Sequence, residues 1–493
     1  MKDNTSEKLA RGSYFLILDN FNNIIIGAAF WIILAKLVDP TSLGQAMVVI
    51  ALATSVIGFA GYGVQVTISK YISEYNARNL PNTSRRVLML GIRLSLIVSG
   101  LAALSIALLS ENIATIAYQN ASLSTLLSFA VITFLPAQTI VAALLGAFQG
   151  TQKMKYVVVT DLVYQIARIA VAVVLVLYGL GSFGILIGFS AASLLASFVS
   201  YRYLIPKALP KSGNQLETSE NLKHIVKFSG HNYFAVGMKT LSVQIGVMVL
   251  GTQNFESAAF YGLSVLISNI VGGVLLAVSR ALLPTASEVF TTNHKTDFQR
   301  VLNAAIRLPL LMSGLAFLVL MIDPSYMLKL VSDSYVEASS ALRILVVASL
   351  ISSISALMIS ILNATNKASD VAKIGLISSS ITIGLTVVFA PLFGLEGSAS
   401  AMLIGSICGL ILSIITVNKR AQLLPSYKSV VKPTVTILTA LLIGYLSLML
   451  MNNAVFATTI ACLSYVTFSM IYRATTHKEV RTLLTMLLRT VRS

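Results

Sequence analysis

Six cationic side chains lie inside stretches of the chain that are otherwise apolar. They are Arg93, Arg168, Lys239, Arg280, Arg307 and Arg343, and only Asp19 and Asp161 are acidic within such stretches. A lone Lys or Arg at the centre of a bilayer costs on the order of 3 kcal/mol, so it faces a bundle interior, a partner or a watery cavity. The surplus of cations predicts a cavity for an anionic group such as phosphate or pyrophosphate, which arginine binds through two parallel hydrogen bonds.

Lys239 and Arg280 are candidate contacts to such an anion in the second half of the chain. Lys239 lies near the middle of its apolar stretch and has no partner within one helical turn, which favours ligand binding. Arg280 lies seven residues before Ser287, where it either snorkels to the headgroups or lines the cavity mouth. Arg343 lies near the outer end of its apolar stretch. The alternative to ligand contact is that its side chain reaches the lipid headgroups.

Arg93 and Arg307 are candidates that occupy equivalent places in the two halves of the chain. Each lies about two turns inside the end of its apolar stretch. A structural role competes with ligand contact, because each arginine could snorkel or pair with an acid, Glu74 or Glu288.

Arg168 shares one helix face with two other polar residues. Asp161, Gln165 and Arg168 follow one another at i, i+4 and i+7, which places their side chains on the same side of a helix. An ion pair between Asp161 and Arg168 therefore competes with contact between Arg168 and a ligand.

The first apolar stretch carries a dense polar cluster of Asp19, Asn20, Asn22 and Asn23, which must face the protein interior. One interpretation is a site for a coupling ion, H⁺ or Na⁺, at Asp19 with Asn20 and Asn23. The other is a hydrogen-bonded cluster that joins helices. We predict no other cofactor and no metal site, because the cysteines and histidines are scattered along the chain.

Composition assigns the protein class. Hydrophobic residues make up 56% of the chain and charged residues 11%, and the mean hydropathy is +0.84. These values predict a polytopic membrane protein rather than a soluble one. Spanning segments must satisfy their own backbone hydrogen bonds, so apolar runs of about 20 residues predict helices. The polar start leads into a long apolar run, so we expect no removable signal peptide.

The chain contains an internal repeat. RVLMLGIRLSL, which begins at Arg86, returns as RVLNAAIRLPL, which begins at Arg300, so the spacing is 300 − 86 = 214 residues. The pair Ser73-Glu74 returns as Ser287-Glu288 at the same spacing. A duplicated set of spans is typical of a carrier with two lobes and a site between them.

We predict an all-α polytopic membrane protein of about 14 transmembrane helices, with two six-helix lobes from the repeat plus two C-terminal helices. The predicted spans lie near residues 13–35, 43–67, 87–109, 123–149, 156–178, 183–205, 228–251, 257–283, 300–322, 338–363, 371–392, 397–417, 430–451 and 455–473. The predicted domains are an N-lobe (1–205), a cytoplasmic linker (206–227), a C-lobe (228–420), the spans 13 and 14 (421–475) and a cytoplasmic amphipathic tail (476–493).

The distribution of basic residues predicts the orientation. Outside the spans, nearly all Lys and Arg residues fall in alternate loops, against Lys36 and Lys329 on the other side. By the positive-inside rule, both termini are cytoplasmic. The net charge of +17 is then explained by topology, so we predict no nucleic-acid partner.

Several segments resemble one transporter family. IILAKLVDPTSLGQAMVVIALATSVIGFAGYGVQVTISKYISEY is similar to the first hairpin of the polysaccharide transporters and oligosaccharide flippases within the multidrug/oligosaccharidyl-lipid/polysaccharide exporter superfamily. GAFQGTQKMKYVVVTDLVYQIARIAVAVVLVLYGLGSFG resembles the region of the fourth to sixth spans. The resemblance, over about residues 10–420, implies a carrier that flips lipid-linked sugars across the cytoplasmic membrane through a cationic cavity between two lobes.

Three functions compete. The first is a flippase for a polyprenyl- or dolichyl-linked oligosaccharide, a polysaccharide precursor. The second is a cation-coupled multidrug exporter of the same superfamily, with Asp19 as the coupling site. The third, a membrane enzyme, is disfavoured because the longest loop is too short for a catalytic domain and the outward loops carry only scattered acids. The first function implies a lipid-linked glycan, membrane lipids and a glycan polymerase or glycosyltransferase as partners.

Overall fold

The computed structural model describes residues 22–60, 62–78, 80–210, 222–292, 295–364, 367–420 and 425–472, and the statements below concern these residues. Side chains between 222 and 233 and between 280 and 298 are not described. The described residues form helices and no strand, which confirms the all-α class. The predicted tail, 476–493, and the cluster residues Asp19 and Asn20 lie outside the described residues.

The helices are numbered α1 to α16 along the described chain. They are α1 (Asn22–Leu37), α2 (Pro40–Ala60), α3 (Tyr62–Ala77), α4 (Pro81–Asn112), α5 (Ser122–Gly150), α6 (Met154–Leu177), α7 (Gly181–Val199), α8 (Ile205–Ala208), α9 (Leu222–Gln253), α10 (Phe255–Thr292), α11 (Lys295–Ile322), α12 (Pro324–Lys329), α13 (Ser339–Ala364), α14 (Ala368–Arg420), α15 (Tyr427–Met451) and α16 (Ala454–Ile471). Short π-helical turns follow α4 (Ile113–Ala117) and α7 (Ser200–Leu204), and a 3₁₀ turn (Asp333–Ala338) precedes α13.

Twelve of the helices in the described ranges are long and apolar enough to cross a membrane, and α1 is a shorter apolar helix. The longest, α14, consists of two helices joined at Gly394, whose backbone angles are φ 56° and ψ −132°. Glycine adopts such angles readily because it has no Cβ. Gly179, in the connection between α6 and α7, also has a positive φ, of 85°. The protein is therefore a multi-pass membrane protein, and the total of 14 spans stays a prediction.

Helix boundaries recur at the spacing of the sequence repeat. Pro81 begins α4 and Lys295 begins α11, 214 residues later. Gly150 and Ala364, the last residues of α5 and α13, have the same spacing, and so do Met154 and Ala368, the first residues of α6 and α14. The two halves of the chain, α1–α8 and α9–α14, therefore repeat one order of helices.

Two boundaries differ from the prediction. The predicted linker, 206–227, overlaps α8 at its start, and α9 begins at Leu222. The helix therefore starts six residues before the predicted start of its span at residue 228. The predicted second span, 43–67, is divided between α2 and α3. The division into lobes, linker and tail stays a prediction.

The two halves meet where α2 packs against α9 and α10. Side chains from α1 lie beside the same region, since Ile24 and Trp31 line the cavities described below. Helices α15 and α16 pack on α11 and on each other. The helices that can position a central site are therefore α1, α2, α6 and α7 from the first half and α9, α10, α13 and α14 from the second.

Candidate functional site

The larger of two central cavities has a volume of about 380 Å³ and lies among α9, α10, α13 and α14, beside Ile24 of α1. Among the described residues that line it, Lys239 is the only charged one, and none is a carboxylate. The Lys239 side chain is exposed to this space, and no described acid or hydrogen-bond acceptor pairs with its ammonium group. An unpaired cation in a cavity without carboxylates can bind an anion.

One side of the larger cavity is formed by six hydroxyl side chains of α13 and α14, which we call the hydroxyl wall. It consists of Ser352, Ser355, Ser378, Ser379, Thr382 and Ser406. Small residues of α14, including Gly375, Gly405 and Gly409, lie between them, so the hydroxyls are not covered by larger side chains. The wall is polar but uncharged, and its chemistry therefore differs from that of Lys239.

The smaller cavity has a volume of about 200 Å³ and lies between the two halves of the chain. The first half contributes Trp31 and Arg168 among its lining residues, and the second half contributes Gln244. Val243, Val265 and Asn269 line both cavities, so the two spaces adjoin. Arg168 and Lys239 therefore face adjoining parts of one central region.

Arg168 is held in place by aromatic rings. Its guanidinium carbon lies 4.2 Å from the ring centroid of Phe30, 5.0 Å from that of Phe189 and 5.5 Å from that of Tyr164. A planar guanidinium stacks on such faces, and the attraction grows when water is excluded. The Arg168 side chain is 7% exposed, and its Nε has no hydrogen-bond partner within the described part of the chain.

A chain of hydrogen bonds joins Arg168 to the first helix. Arg168 donates to Gln165 Oε1, Gln165 Nε2 donates to Asn23 Oδ1 over 2.7 Å, and Asn23 Nδ2 donates to Asp161 Oδ2 over 3.5 Å. These contacts link Asp161 to Arg168 through two amides, rather than through the direct ion pair that the spacing on α6 allows. Asn23, one of the predicted ion-coupling residues, is therefore connected to the cationic region.

The other predicted site residues are placed as follows. Arg93 is exposed on α4 and Arg307 is half-buried on α11, and neither lines the two cavities. Arg280 lies on α10, but its side chain is not described. The structure thus brings Lys239 and Arg168 to the central region, and the assignment of all these residues to a ligand site stays a prediction.

Arg343 has a contact that neither of the predicted roles includes. Its Nε donates to the carbonyl of Met321 over 3.2 Å, and its Nη2 donates to the carbonyl of Ile322 over 3.4 Å. Those carbonyls belong to the last turn of α11, where helical partners are missing. Arg343 therefore caps α11.

Sequence reasoning missed the residues that carry no charge. Trp31, Asn269 and the hydroxyl wall line the cavities although the charge pattern does not mark them. The spacing of Ser378 and Thr382, at i and i+4 in an apolar stretch, was the available signal. Among the described residues, no group of three His, Cys, Asp or Glu side chains could hold a metal ion.

Comparisons with known proteins agree with the fold. The family model described as "Polysaccharide biosynthesis protein" matches residues 9–290. Stage V sporulation protein B of Bacillus subtilis is 23% identical over 443 residues, which cover 83% of this chain and 83% of that protein. The lipid II flippase MurJ of the same organism is 24% identical over 472 residues, which cover 88% of this chain and 86% of that one.

Solved structures show the same architecture. An inward closed structure of a lipid II flippase MurJ superposes with a TM-score of 0.74 and 17% identity, over 93% of this chain and 98% of that chain. An inward-facing structure of a multidrug resistance transporter of the MATE family, in the MOP superfamily, superposes with a TM-score of 0.66 and 14% identity, over 83% of this chain and 98% of that chain. At these identities, the superpositions establish the fold alone.

Proposed function

Because the chain belongs to the polysaccharide biosynthesis protein family, we propose that it is a flippase for a lipid-linked oligosaccharide, a polysaccharide precursor. The head group passes through the central region by alternating access, and the lipid tail stays in the bilayer. The relative named as a flippase, the lipid II flippase MurJ, supports this proposal. The activity proposed is transport and not catalysis.

The observation that carries the proposal is the charge of the central region. Lys239 and Arg168 face adjoining cavities, and the described residues that line those cavities include no carboxylate. A phosphate or pyrophosphate group supplies the missing negative charge and accepts hydrogen bonds from both side chains. A positively charged drug would be repelled by the same two groups.

A second candidate is a cation-coupled multidrug exporter of the same superfamily. The hydrogen-bonded chain from Asp161 through Asn23 to Gln165 favours it, because an acid beside amides can bind H⁺ or Na⁺. We propose that, in a flippase, the same group and the predicted residues Asp19 and Asn20 couple an ion to the cycle. Ion coupling would then drive the flippase as well as a drug exporter.

The proposal also covers location and partners. The protein lies in the plasma membrane with both termini in the cytoplasm, as the distribution of basic residues predicts. Its partners are the lipid-linked glycan, the surrounding lipids and an enzyme that extends or polymerises the glycan.

Flipping in liposomes tests the proposal. The purified protein is reconstituted with a fluorescent polyprenyl pyrophosphate disaccharide, and the probe that remains in the outer leaflet is measured by chemical quenching. We expect Lys239→Ala to slow flipping at least about tenfold, because a charge-assisted hydrogen bond contributes about 1.5–3 kcal/mol. Lys239→Arg should keep most of the rate. Lys36→Ala, an exposed lysine outside both cavities, is the matched control.

Two results would contradict the proposal. One is wild-type protein that flips none of several pyrophosphate-linked glycans. The other is export of cationic dyes in a manner that depends on Asp19, which would establish the drug exporter instead. Size-exclusion chromatography of each variant separates lost transport from lost folding.

A further inference from the structure

We propose that the hydroxyl wall is a subsite for the sugar part of the substrate, separate from the cations that bind its phosphates. This inference rests on the proposed function and extends it from the charged end of the substrate to the uncharged end. It follows from the direction in which the hydroxyl protons of the wall point.

Four of the six wall hydroxyls donate to backbone carbonyls of their own helices. The acceptors are Ser349 for Ser352, Ile374 for Ser378, Ser378 for Thr382 and Met402 for Ser406, at 2.8–3.0 Å. A hydroxyl has one proton and two lone pairs, so a hydroxyl that donates to the backbone can only accept from the cavity. The wall therefore presents mainly acceptors to a ligand.

A second observation indicates that the wall meets a ligand. Ser379 is 3% exposed and lines the cavity, and its hydroxyl forms no hydrogen bond with any described residue. The side-chain amide of Asn269, on the facing helix α10, also lines both cavities without a hydrogen-bond partner among the described residues. Buried polar groups are normally paired, so the unpaired Ser379 hydroxyl points to a ligand, and the half-buried amide of Asn269 offers that ligand a second partner.

The chemistry of the wall selects among ligand groups. A phosphate has only acceptor oxygens when fully ionised, so it gains little from a surface of acceptors and binds to Lys239 and Arg168 instead. An ammonium group could donate to the wall, but Lys239 in the same cavity repels it. Sugar hydroxyls and N-acetyl amides are uncharged and supply many donors. The wall therefore suits a glycan.

The geometry divides the substrate between two kinds of contact. Lys239 on α9 lies in the same cavity as the wall on α13 and α14, so one molecule with linked phosphate and sugar groups can meet both. Removal of the Lys239 charge should weaken the binding of every pyrophosphate lipid, with or without sugar. Removal of wall hydroxyls should weaken the binding of only those lipids that carry sugar.

Binding of two short-chain probes by purified full-length protein in detergent distinguishes these effects. One probe is farnesyl pyrophosphate, and the other is the same lipid with a disaccharide on its terminal phosphate. The wall variant is Ser379→Ala combined with Thr382→Val, which removes two hydroxyls with little change of shape. Thr386→Val is the matched control, because Thr386 lies one turn further along α14 and donates to Thr382 in the same way, but lines neither cavity.

We expect the wall variant to bind the disaccharide probe about five- to tenfold more weakly, with less than about twofold change for farnesyl pyrophosphate. Lys239→Ala should weaken the binding of both probes by similar factors, and Thr386→Val should change the binding of neither. If the double variant does not fold, Ser379→Ala alone is informative, because its hydroxyl has no hydrogen bond within the described protein to lose.

Different failures have different meanings. Equal losses for both probes, or no loss for the disaccharide probe, would overturn the sugar subsite and leave the flippase proposal in place. Wild-type protein that binds neither probe would overturn the proposed function and the subsite with it.

Discussion

Arg168 and Lys239 face one central region but are held in different ways. Arg168 lies among three aromatic rings and donates to Gln165, so its position is fixed. Lys239 is exposed to the larger cavity and has no described partner. A fixed guanidinium can orient a phosphate, and a free ammonium group can follow it as it moves. The two cations are therefore not equivalent.

This difference predicts unequal effects of exchanging Lys and Arg. Arg168→Lys keeps the charge but loses the planar contacts with Phe30 and Phe189, each of which contributes on the order of 1 kcal/mol. We expect flipping to slow about tenfold in Arg168→Lys, and less than about threefold in Lys239→Arg. Flipping rates in liposomes, compared at equal amounts of folded protein, measure both. Equal rates in the two variants would show that charge alone matters at position 168.

Arg343 gives the opposite prediction, because its contacts are structural. Arg343→Met keeps the length of the side chain but removes the hydrogen bonds to the carbonyls of Met321 and Ile322. We expect a loss of about 1–2 kcal/mol of stability and an unchanged flipping rate. Thermal unfolding in detergent measures the first, and the liposome assay measures the second. A flipping defect without destabilisation would assign Arg343 to transport.

For single residues, the sequence predicts which charged side chains lie in apolar stretches, but not which residues contact them. A charge in an apolar stretch is visible directly, and Lys239 and Arg168 were found in that way. The rings of Phe30 and Phe189 come from distant parts of the chain, and the carbonyls capped by Arg343 belong to another helix. Such contacts depend on packing, which one sequence does not display.

Among the helices, α4 and α11 have the same place in the repeat but different surroundings. Helices α15 and α16 cover one side of α11, where Tyr465 donates to the carbonyl of Leu311 over 2.6 Å and Tyr445 donates to that of Met321 over 2.8 Å. In α4 the side chains of Leu101, Leu104 and Leu108 are exposed. This asymmetry agrees with an exposed Arg93 and a half-buried Arg307. The added helices thus make the two halves unequal.

Gly314 and Gly100, which are 214 residues apart, test the attachment of α15 and α16. A Cβ at Gly314 would lie 2.5 Å from the Tyr465 hydroxyl and 3.1 Å from Ile437, whereas one at Gly100 meets nothing within 4 Å. We therefore expect Gly314→Leu to separate α15 and α16 from α11, and Gly100→Leu to have no effect. Maleimide labelling of a cysteine at Ala461 of α16, which is buried and packs in one cluster with Ile322 of α11, measures the separation in a background without Cys408 and Cys462.

Unchanged labelling in Gly314→Leu would contradict this attachment. Flipping by the same variant tests whether α15 and α16, which lie outside the repeat, form a groove for the lipid tail. We expect slower flipping when the two helices are displaced. Full transport by a protein that ends after Arg420 would remove the groove from the mechanism.

The order of helices was predictable because the repeat and the apolar periods are properties of the sequence itself. The starts of α4 and α11 fall at the predicted spacing, and the turn at Gly394 lies between the predicted spans 371–392 and 397–417. Helix α9 begins at Leu222, six residues before the predicted start of its span at residue 228, because those six residues include two lysines and a histidine and so extend the helix beyond the apolar run. Helix ends outside the apolar windows were therefore the least predictable feature of the fold.

The two halves are in close contact at one end of the molecule. Tyr118 donates to the carbonyl of Met248 over 3.3 Å, Thr41 donates to Glu256 over 3.1 Å, and the rings of Tyr118 and Phe255 stack. At the start of α2, Gly44 lies directly against the backbone of Phe255. Small residues let helix backbones approach closely within a membrane. The two halves must separate at this end if the central region is to open on this side of the membrane.

A side chain at Gly44 should therefore prevent the halves from closing at this end. Its Cβ would lie 1.8 Å from the carbonyl oxygen of Phe255 and 2.5 Å from the carbonyl carbon, and backbone atoms cannot move aside locally. We expect Gly44→Val to hold this end open and to slow flipping at least about tenfold. Gly384→Val is the control, because a Cβ there meets nothing within 4 Å.

Labelling of a cysteine at Ser242, which lines the larger cavity, measures which end is open. A membrane-impermeant maleimide is added to each side of the bilayer in turn, in a background without Cys408 and Cys462, and a cysteine at the exposed Asp39 marks the side of the closed end. Gly44→Val should raise labelling from the Asp39 side, and Gly384→Val should not. If labelling from that side is unchanged while flipping is lost, closure at Gly44 does not control access. The contact between the halves would then be structural, and the opening that admits substrate would lie elsewhere in the molecule.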